Sequence, residues 1–267
     1  MYFHHSMIYP DGTNIQGKLN HQRHINWLGL NRMDIQGKSA IDIAANDAFF
    51  AFWSEWNGAS RVIATDVDYY KDYDWGPAGP PQGIDDLKQQ NKAEAFWFHH
   101  ENTNSQIERK QLSIYDTSPE NVGKIDFVFN FGLIYHLRHP RLAIERSAEI
   151  CQELLFLETE VLPSYRRTMV TLDAGGRSGM LTKTDACIPS EAAIAHWIDF
   201  AGLPYVFIER GNPPKRQRFV ACRSESWKQR LLANPGLFMA DEKYWDEVRA
   251  ANQKFHKGMH SILSELA

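Results

Sequence analysis

The chain has 267 residues, 43% of them hydrophobic and 23% charged, with a formal net charge of −4. These are the proportions of a globular chain able to bury about three-quarters of its unfolded surface. The slight acidity excludes a global attraction to nucleic acid or an anionic membrane, while leaving room for a local basic face.

Residues 1–17 carry turn signals at Pro10-Asp11-Gly12 and Gly17, and a short helix is expected over 18–30 on Leu19, Ile25, Trp27 and Leu28. Together they form an N-terminal cap segment, 1–34. A strand at 40–43 follows, ending beside Asp42, then a turn of small residues and a helix over 49–57 closed by Gly58. A second strand, 61–65, delivers Asp66. The Pro- and Gly-rich stretch 69–84 reads as a long loop, and 85–101 as a helix bearing Leu87, Ala93, Phe96 and Trp97.

A strand is predicted over 111–115, ending at Asp116, and another over 125–131. Pro140 opens a helix through 152, and 154–157 is a strand ending in Glu158. The stretch 163–189, with Gly175-Gly176 and Gly179, reads as an irregular insertion or flap. Ser190 precedes a helix to Phe200, and strands at 205–209 and 218–222 flank Gly211-Asn212-Pro213-Pro214 as an antiparallel hairpin. From Ser224 the tail reads as helical, with Tyr244, Val248, Ala251, Phe255, Met259 and Ile262 forming an apolar stripe suited to core packing or a subunit contact. The alternation implies an open, twisted α/β sheet over 35–223 with a helical extension, 224–267.

Strand, turn, helix, strand and acid within 39–68 make a βαβ nucleotide-binding unit. A turn of small residues brings a ligand close to free backbone N–H groups at a helix N-terminus. An acid ending the second strand can accept from both ribose hydroxyls. The turn departs from the usual fingerprint: Ala44 and Ala48 stand where glycines are expected, and Asn46 is the least costly other residue for a left-handed backbone.

The blocks IDIAANDAFFAFWSEWNGASRVIATDVD, SIYDTSPENVGKIDFVFNFGLIYHLRHPRLAIER and LLFLETEV together resemble class I S-adenosylmethionine-dependent methyltransferases. The YHLRHP block is similar to the branch containing the tRNA wobble-uridine carboxymethyltransferases. The resemblance implies a Rossmann-like sheet with a terminal antiparallel strand, and S-adenosylmethionine as cofactor. It implies that the turn from Asp42 through Ala44 and Asn46 holds the methionine part and that Asp66, with Val67 beside it, takes the ribose. Ile114, Tyr115 and Asp116 would frame the adenine, and Asn130 and Phe131 would lie beneath the sulfonium.

A general base is needed where the acceptor carries a proton at neutral pH; His136 and Tyr135, just past the fourth strand, are the candidates. His136 and His139, like His21 and His24, lack a Cys or carboxylate at ligand spacing, so no metal is expected. Arg210, Lys215, Arg216, Arg218, Arg223, Lys228 and Arg230 concentrate charge around the hairpin, either as a solvated face or as a docking surface for RNA. The favoured function is methyl transfer to an O or N atom of a small molecule. A tRNA-modifying (carboxy)methyltransferase and a non-catalytic protein retaining the fold are the alternatives. A homodimer through the C-terminal helix is a possible assembly. Cys151, Cys187 and Cys222 read as reduced, and no leader or membrane-length apolar run is seen, so a cytoplasmic location is expected.

Overall fold

The computed structural model describes residues 1–21, 25–26, 29–69, 72–74, 91, 93–162, 167–172, 187–209 and 215–266, with the backbone alone at 171–172 and 260–266. Trp27, Leu28, Leu87, Gly175-Gly176, Gly179, Arg210 and the Gly211-Asn212-Pro213-Pro214 turn therefore lie outside the described residues.

A two-stranded antiparallel ribbon comes first, β1 (Met7–Ile8) with β2 (Asn14–Ile15). The βαβ unit follows as β3 (Ser39–Ile43), α1 (Phe49–Trp56) and β4 (Arg61–Asp66). Next come α2 (Ala93–Thr103), β5 (Glu108–Gln111), the short α3 (Pro119–Val122) and β6 (Ile125–Phe131). The helix α4 (Pro140–Ile150) runs directly into β7 (Cys151–Glu160), and β8 (Val170–Leu172) pairs with β9 (Cys187–Pro189). The chain closes with α5 (Glu191–Phe200), β10 (Tyr205–Glu209), β11 (Arg216–Cys222), α6 (Glu225–Leu232), β12 (Leu237–Met239) and α7 (Glu242–Leu266).

The main sheet has eight strands in the order β12-β10-β11-β7-β6-β3-β4-β5. Strands β5, β4, β3, β6 and β7 are mutually parallel, while β11 is antiparallel to both β7 and β10. The chain leaves β3 outward through β4 and β5, then returns to build β6 on the other side of β3. Such a reversal opens a crevice at the carboxyl ends of the strands, between the turn after Ile43 and the end of β6 at Phe131.

Side chains alternate across the sheet, so β6 sends Val128 to one layer and Phe127 and Phe129 to the other. The first layer is aliphatic: Ile41, Ile63 and Leu155 meet Ile144 of α4, Ile194 and Ile198 of α5, and Tyr244 and Val248 of α7. The second is aromatic. Phe129 stacks on Phe156 at 5.2 Å, and Phe50 of α1 lies on Phe129 at 5.5 Å. Most of the fully buried phenylalanines are spent here: Phe52, Phe96, Phe127, Phe129, Phe156 and Phe207, with Phe219 in the first layer.

Several expected elements shift. The strand expected at 111–115 is instead β5 at Glu108–Gln111, and Ile114–Asp116 is a 3-10 turn capped by Ser113, whose hydroxyl accepts from Tyr115 N. A strand of Glu, Arg, Lys and Gln is suited to a sheet edge, where charge blocks further pairing. Residues 18–21 are not helical; Leu19 bridges His5 instead. The tail is not continuously helical, because Leu237–Met239 adds a further edge strand on β10. The apolar stripe is split: Tyr244 and Val248 are buried, whereas Phe255 and Met259 are 40% and 43% exposed. No helix among the described residues is long and apolar enough to cross a membrane.

Candidate functional site

The turn joining β3 to α1 forms one wall of the crevice. Ala44, Asn46 and Ala48 have φ of 54°, 55° and 65°, so all three positions adopt the left-handed conformation that glycine ordinarily supplies. Each alanine held there costs about 1 kcal/mol or more. Hydrogen bonds hold the turn against that cost. Ala45 N donates to Thr65 O (3.0 Å) and Ala48 N to Ala45 O (2.7 Å).

Asp66 joins the same network. Its Oδ2 accepts from Asn46 N and its Oδ1 from Val67 N, both at 2.7 Å, and the residue is 4% exposed. Asp42 has a different task. Ala48 offers α1 no side-chain cap, and the Asp42 carboxylate accepts from Phe50 N (3.1 Å) and Ala51 N (3.2 Å) instead. Burial pushes the Asp42 carboxyl well above its ordinary value; those two N–H groups oppose the rise, and the nearby Asp66 and Asp47 charges add to it.

Two further groups fix the turn from outside. Asp47 is fully buried and accepts from His4 N (2.7 Å) and His5 N (2.8 Å), and it pairs with the His5 imidazole. Burial alone would raise the Asp47 carboxyl, but His5 and its N–H pull it below the usual range. The N-terminal segment is thereby pinned over the start of α1. Arg109 of β5 reaches the turn from the other side, donating from Nη1 to Asn46 O (3.3 Å) and from Nη2 to Asp68 Oδ1 (2.9 Å).

The opposite wall follows β6. Asn130 is fully buried; its Nδ2 donates to Ser147 Oγ on α4 (3.0 Å), and its Oδ1 has no partner among the described residues. Phe131 is half-buried with its ring 4.4 Å from Phe50, which brings the end of β6 against the first turn of α1. Gly132, at φ 70°, turns the chain into the 3-10 segment Ile134–His136. Tyr135 is buried, and its hydroxyl accepts from Arg216 Nη2 (2.6 Å). Burial pushes the Tyr135 phenol up to about 12, against the pull of the Arg216 charge. His136 is half-buried with its ring 4.1 Å from that of Tyr135.

Arg216 and Arg218 are committed within the fold. Arg216 Nη1 donates to both carboxylate oxygens of Glu158 at 2.8 Å, and Glu160 lies 3.6 Å from Nη2. Arg218 and Glu209 form a buried pair at 2.5 Å, with side chains 6% and 8% exposed. Arg223 donates to the carbonyls of Cys151 and Ala148, and Lys228 pairs with Glu225.

Past the end of β5, Tyr115 is half-buried and donates to Asp74 Oδ2 (2.5 Å). Asp74 also accepts from Arg138 N (2.8 Å) and Nε (2.6 Å), so the YHLRHP segment is tied to the loop after β4. Asp116 is exposed on the 3-10 turn, five residues beyond the end of β5, and its carbonyl accepts from Asn121.

The structure thus brings Asp42, Ala44, Asn46, Asp66 and Val67 together on one wall, and Phe131, Tyr135 and His136 on the other. Asp47, Asp74, Arg109 and Arg138 were not singled out from the sequence. Arg138 sits inside the YHLRHP block and Asp47 inside the turn, so both lay within motifs already noted. Arg109 gives no local signal.

No family model matches this sequence, and no curated protein matches it. Solved structures match it in fold. The N-terminal domain of EvdMO1, crystallised with SAH and D-fucose, is 13% identical, covering 84% of this chain and 91% of its own, with a TM-score of 0.55. An S-adenosylmethionine-dependent methyltransferase from Mesorhizobium loti is 11% identical over 73% of this chain and 95% of that one, TM-score 0.52. Magnesium protoporphyrin IX methyltransferase from Synechocystis PCC 6803, with bound SAM, is 13% identical over 79% and 87%, TM-score 0.51. At these identities the likeness is one of architecture, and the chain has the Rossmann-like fold of class I methyltransferases.

Proposed function

We propose that the chain is an S-adenosylmethionine-dependent methyltransferase acting on an O or N atom of a small-molecule acceptor. The observation that carries this reading is the turn: residues 44, 46 and 48 all keep the left-handed backbone of a glycine cradle, beside an acid ending the next strand. The residues fit the cofactor in backbone path. Ala48 is wholly buried, so its methyl is used in packing, and the half-buried Ala44 methyl is the bulk added at the crevice. Two of the matching structures are named as methyltransferases, one of them with bound SAM, and a third was crystallised with SAH, which supports the same reading.

In this proposal Asp42, Ala44 and Asn46 carry the methionine part through the turn, and Asp66 and Val67 bind the ribose. Tyr115 and Asp116 border the adenine. Asn130 and Phe131 floor the reacting centre. The bound cofactor supplies a methyl already activated on a sulfonium, so the protein's task is alignment and exclusion of water. His136 takes the proton of an acceptor O–H or N–H, and Tyr135, kept protonated at neutral pH, orients it.

A small molecule is favoured over tRNA because Arg216 and Arg218, the centre of the basic patch, are already paired with Glu158, Glu160 and Glu209. Titrating SAH into the protein by calorimetry is the test. Binding is expected, and Asp66→Ala is expected to weaken it by roughly 100-fold, the worth of two charge-assisted hydrogen bonds. A folded wild-type protein giving no heat at sub-millimolar SAH removes the proposal and leaves the non-catalytic alternative. Tight, salt-sensitive tRNA binding would reverse the choice of acceptor.

A further inference from the structure

The left-handed turn lacks the residues that make such a turn easy, so something else must hold it. Its N–H side is held by Asp66 at Asn46 N. Its C=O side is held by Arg109, whose Nη1 donates to Asn46 O while Nη2 donates to Asp68. The Arg109 side chain is 3% exposed, its guanidinium lies 5.0 Å over the Phe96 ring, and its Nε has no partner among the described residues. Burying a guanidinium is an expensive way to make one ion pair, all the more since Asp68 itself remains 21% exposed.

We infer that Arg109 is a positioning residue that stands in for the missing glycines, clamping the Asn46 peptide so that the 44–48 turn stays in its cofactor-ready conformation. Glycine adopts the left-handed backbone freely, whereas alanine released from its hydrogen bonds returns to the right-handed or extended regions. The clamp therefore matters in this turn and is dispensable in a glycine one. Arg109 also fixes Asp68, two residues after Asp66, so one side chain sets both edges of the ribose position. Lysine cannot replace it, because a single ammonium lacks the planar fork that reaches two acceptors at once.

The effect on cofactor affinity rests on the function proposed above; the effect on the turn does not. The experiment compares wild type, Arg109→Lys, Arg109→Met, the triple variant Ala44→Gly/Asn46→Gly/Ala48→Gly, and each Arg109 change in the triple background. Amide hydrogen exchange of residues 44–48 is read without ligand, and SAH affinity by calorimetry. Exchange at the Asn46 amide is expected to rise about tenfold or more in both Arg109 variants, with SAH affinity falling by a similar factor. In the glycine background the affinity loss is expected to shrink below about threefold. Unchanged exchange at 44–48, or the same affinity loss in both backgrounds, overturns the inference. If wild type binds no SAH, the methyltransferase proposal fails, and the exchange result alone decides the clamp.

Discussion

The two walls of the crevice satisfy their buried acids in different ways. On the β3–β4 side, Asp42 and Asp66 accept from backbone N–H groups, so each carboxylate shapes the main chain beside it. On the β7–β11 side, Glu158 and Glu209 are met by guanidinium groups, so charge cancels between side chains and the backbone is left to its ladder. The first arrangement builds a cradle with strained but fixed geometry. The second builds a stiff, charge-paired flank around arginines that read as a basic patch in the sequence. An acid's place in a fold therefore says less about its task than the kind of donor that meets it.

The largest expected effect comes from breaking the charge-paired flank. Arg218→Met leaves Glu209 buried without its partner and is expected to lower stability by about 3 kcal/mol or more, while Glu209→Leu with Arg218→Met restores most of it. Urea unfolding of the single and double variants measures this; equal losses in both would show that the pairing carries no weight.

The next effect depends on pH and lies away from both walls. The imidazole of His99 on α2 is fully buried, shares a hydrogen bond with the Tyr9 hydroxyl (2.6 Å), and is lowered to about 4 chiefly by burial. The neutral form is favoured on folding, so the unfolded chain binds the extra proton between pH 6.5 and about 4. Stability is complete above that window and falls as pH drops through it, by about 3 kcal/mol from this group. Replacing His99 with Gln is expected to flatten that part of the stability–pH curve; an unchanged slope would remove the assignment. On the arginine-paired flank the guanidinium groups do not titrate in that window, while burial raises the Glu209 carboxyl against the pull of Arg218.

The smallest effect bears on the strain itself. Ala44→Gly is expected to stabilise the protein by about 0.5–1 kcal/mol, relief of the left-handed alanine less the added freedom of the unfolded chain. Ala48→Gly should gain less, because a fully buried methyl is lost with it. Thermal or urea melts in which Ala44→Gly destabilises would mean the turn is not strained as described.

Much of this was legible in the chain. Strands of dense β-branched and aromatic residues, such as Ile125–Phe131, announce themselves, and the turn's left-handed positions were readable from where glycine is missing. Strand β5 was not, because Glu-Arg-Lys-Gln has no β pattern and is a strand through its pairing with β4. The clamps on the turn were hidden for another reason. Arg109 meets Asn46 across 63 residues, as Arg216 meets Tyr135 away from the turn across 81, and no local pattern links the two ends of either pair.

The bond from His5 N to Asp47 joins residues 42 apart, and it carries a consequence for the order of assembly. During synthesis the first residues leave the ribosome long before α1 exists to receive them. They must wait, unpaired, until Asp47 is made and presented. The partner is nonetheless in place before β6, β7 and β11 have been made, so this latch depends on the βαβ unit and not on the completed sheet.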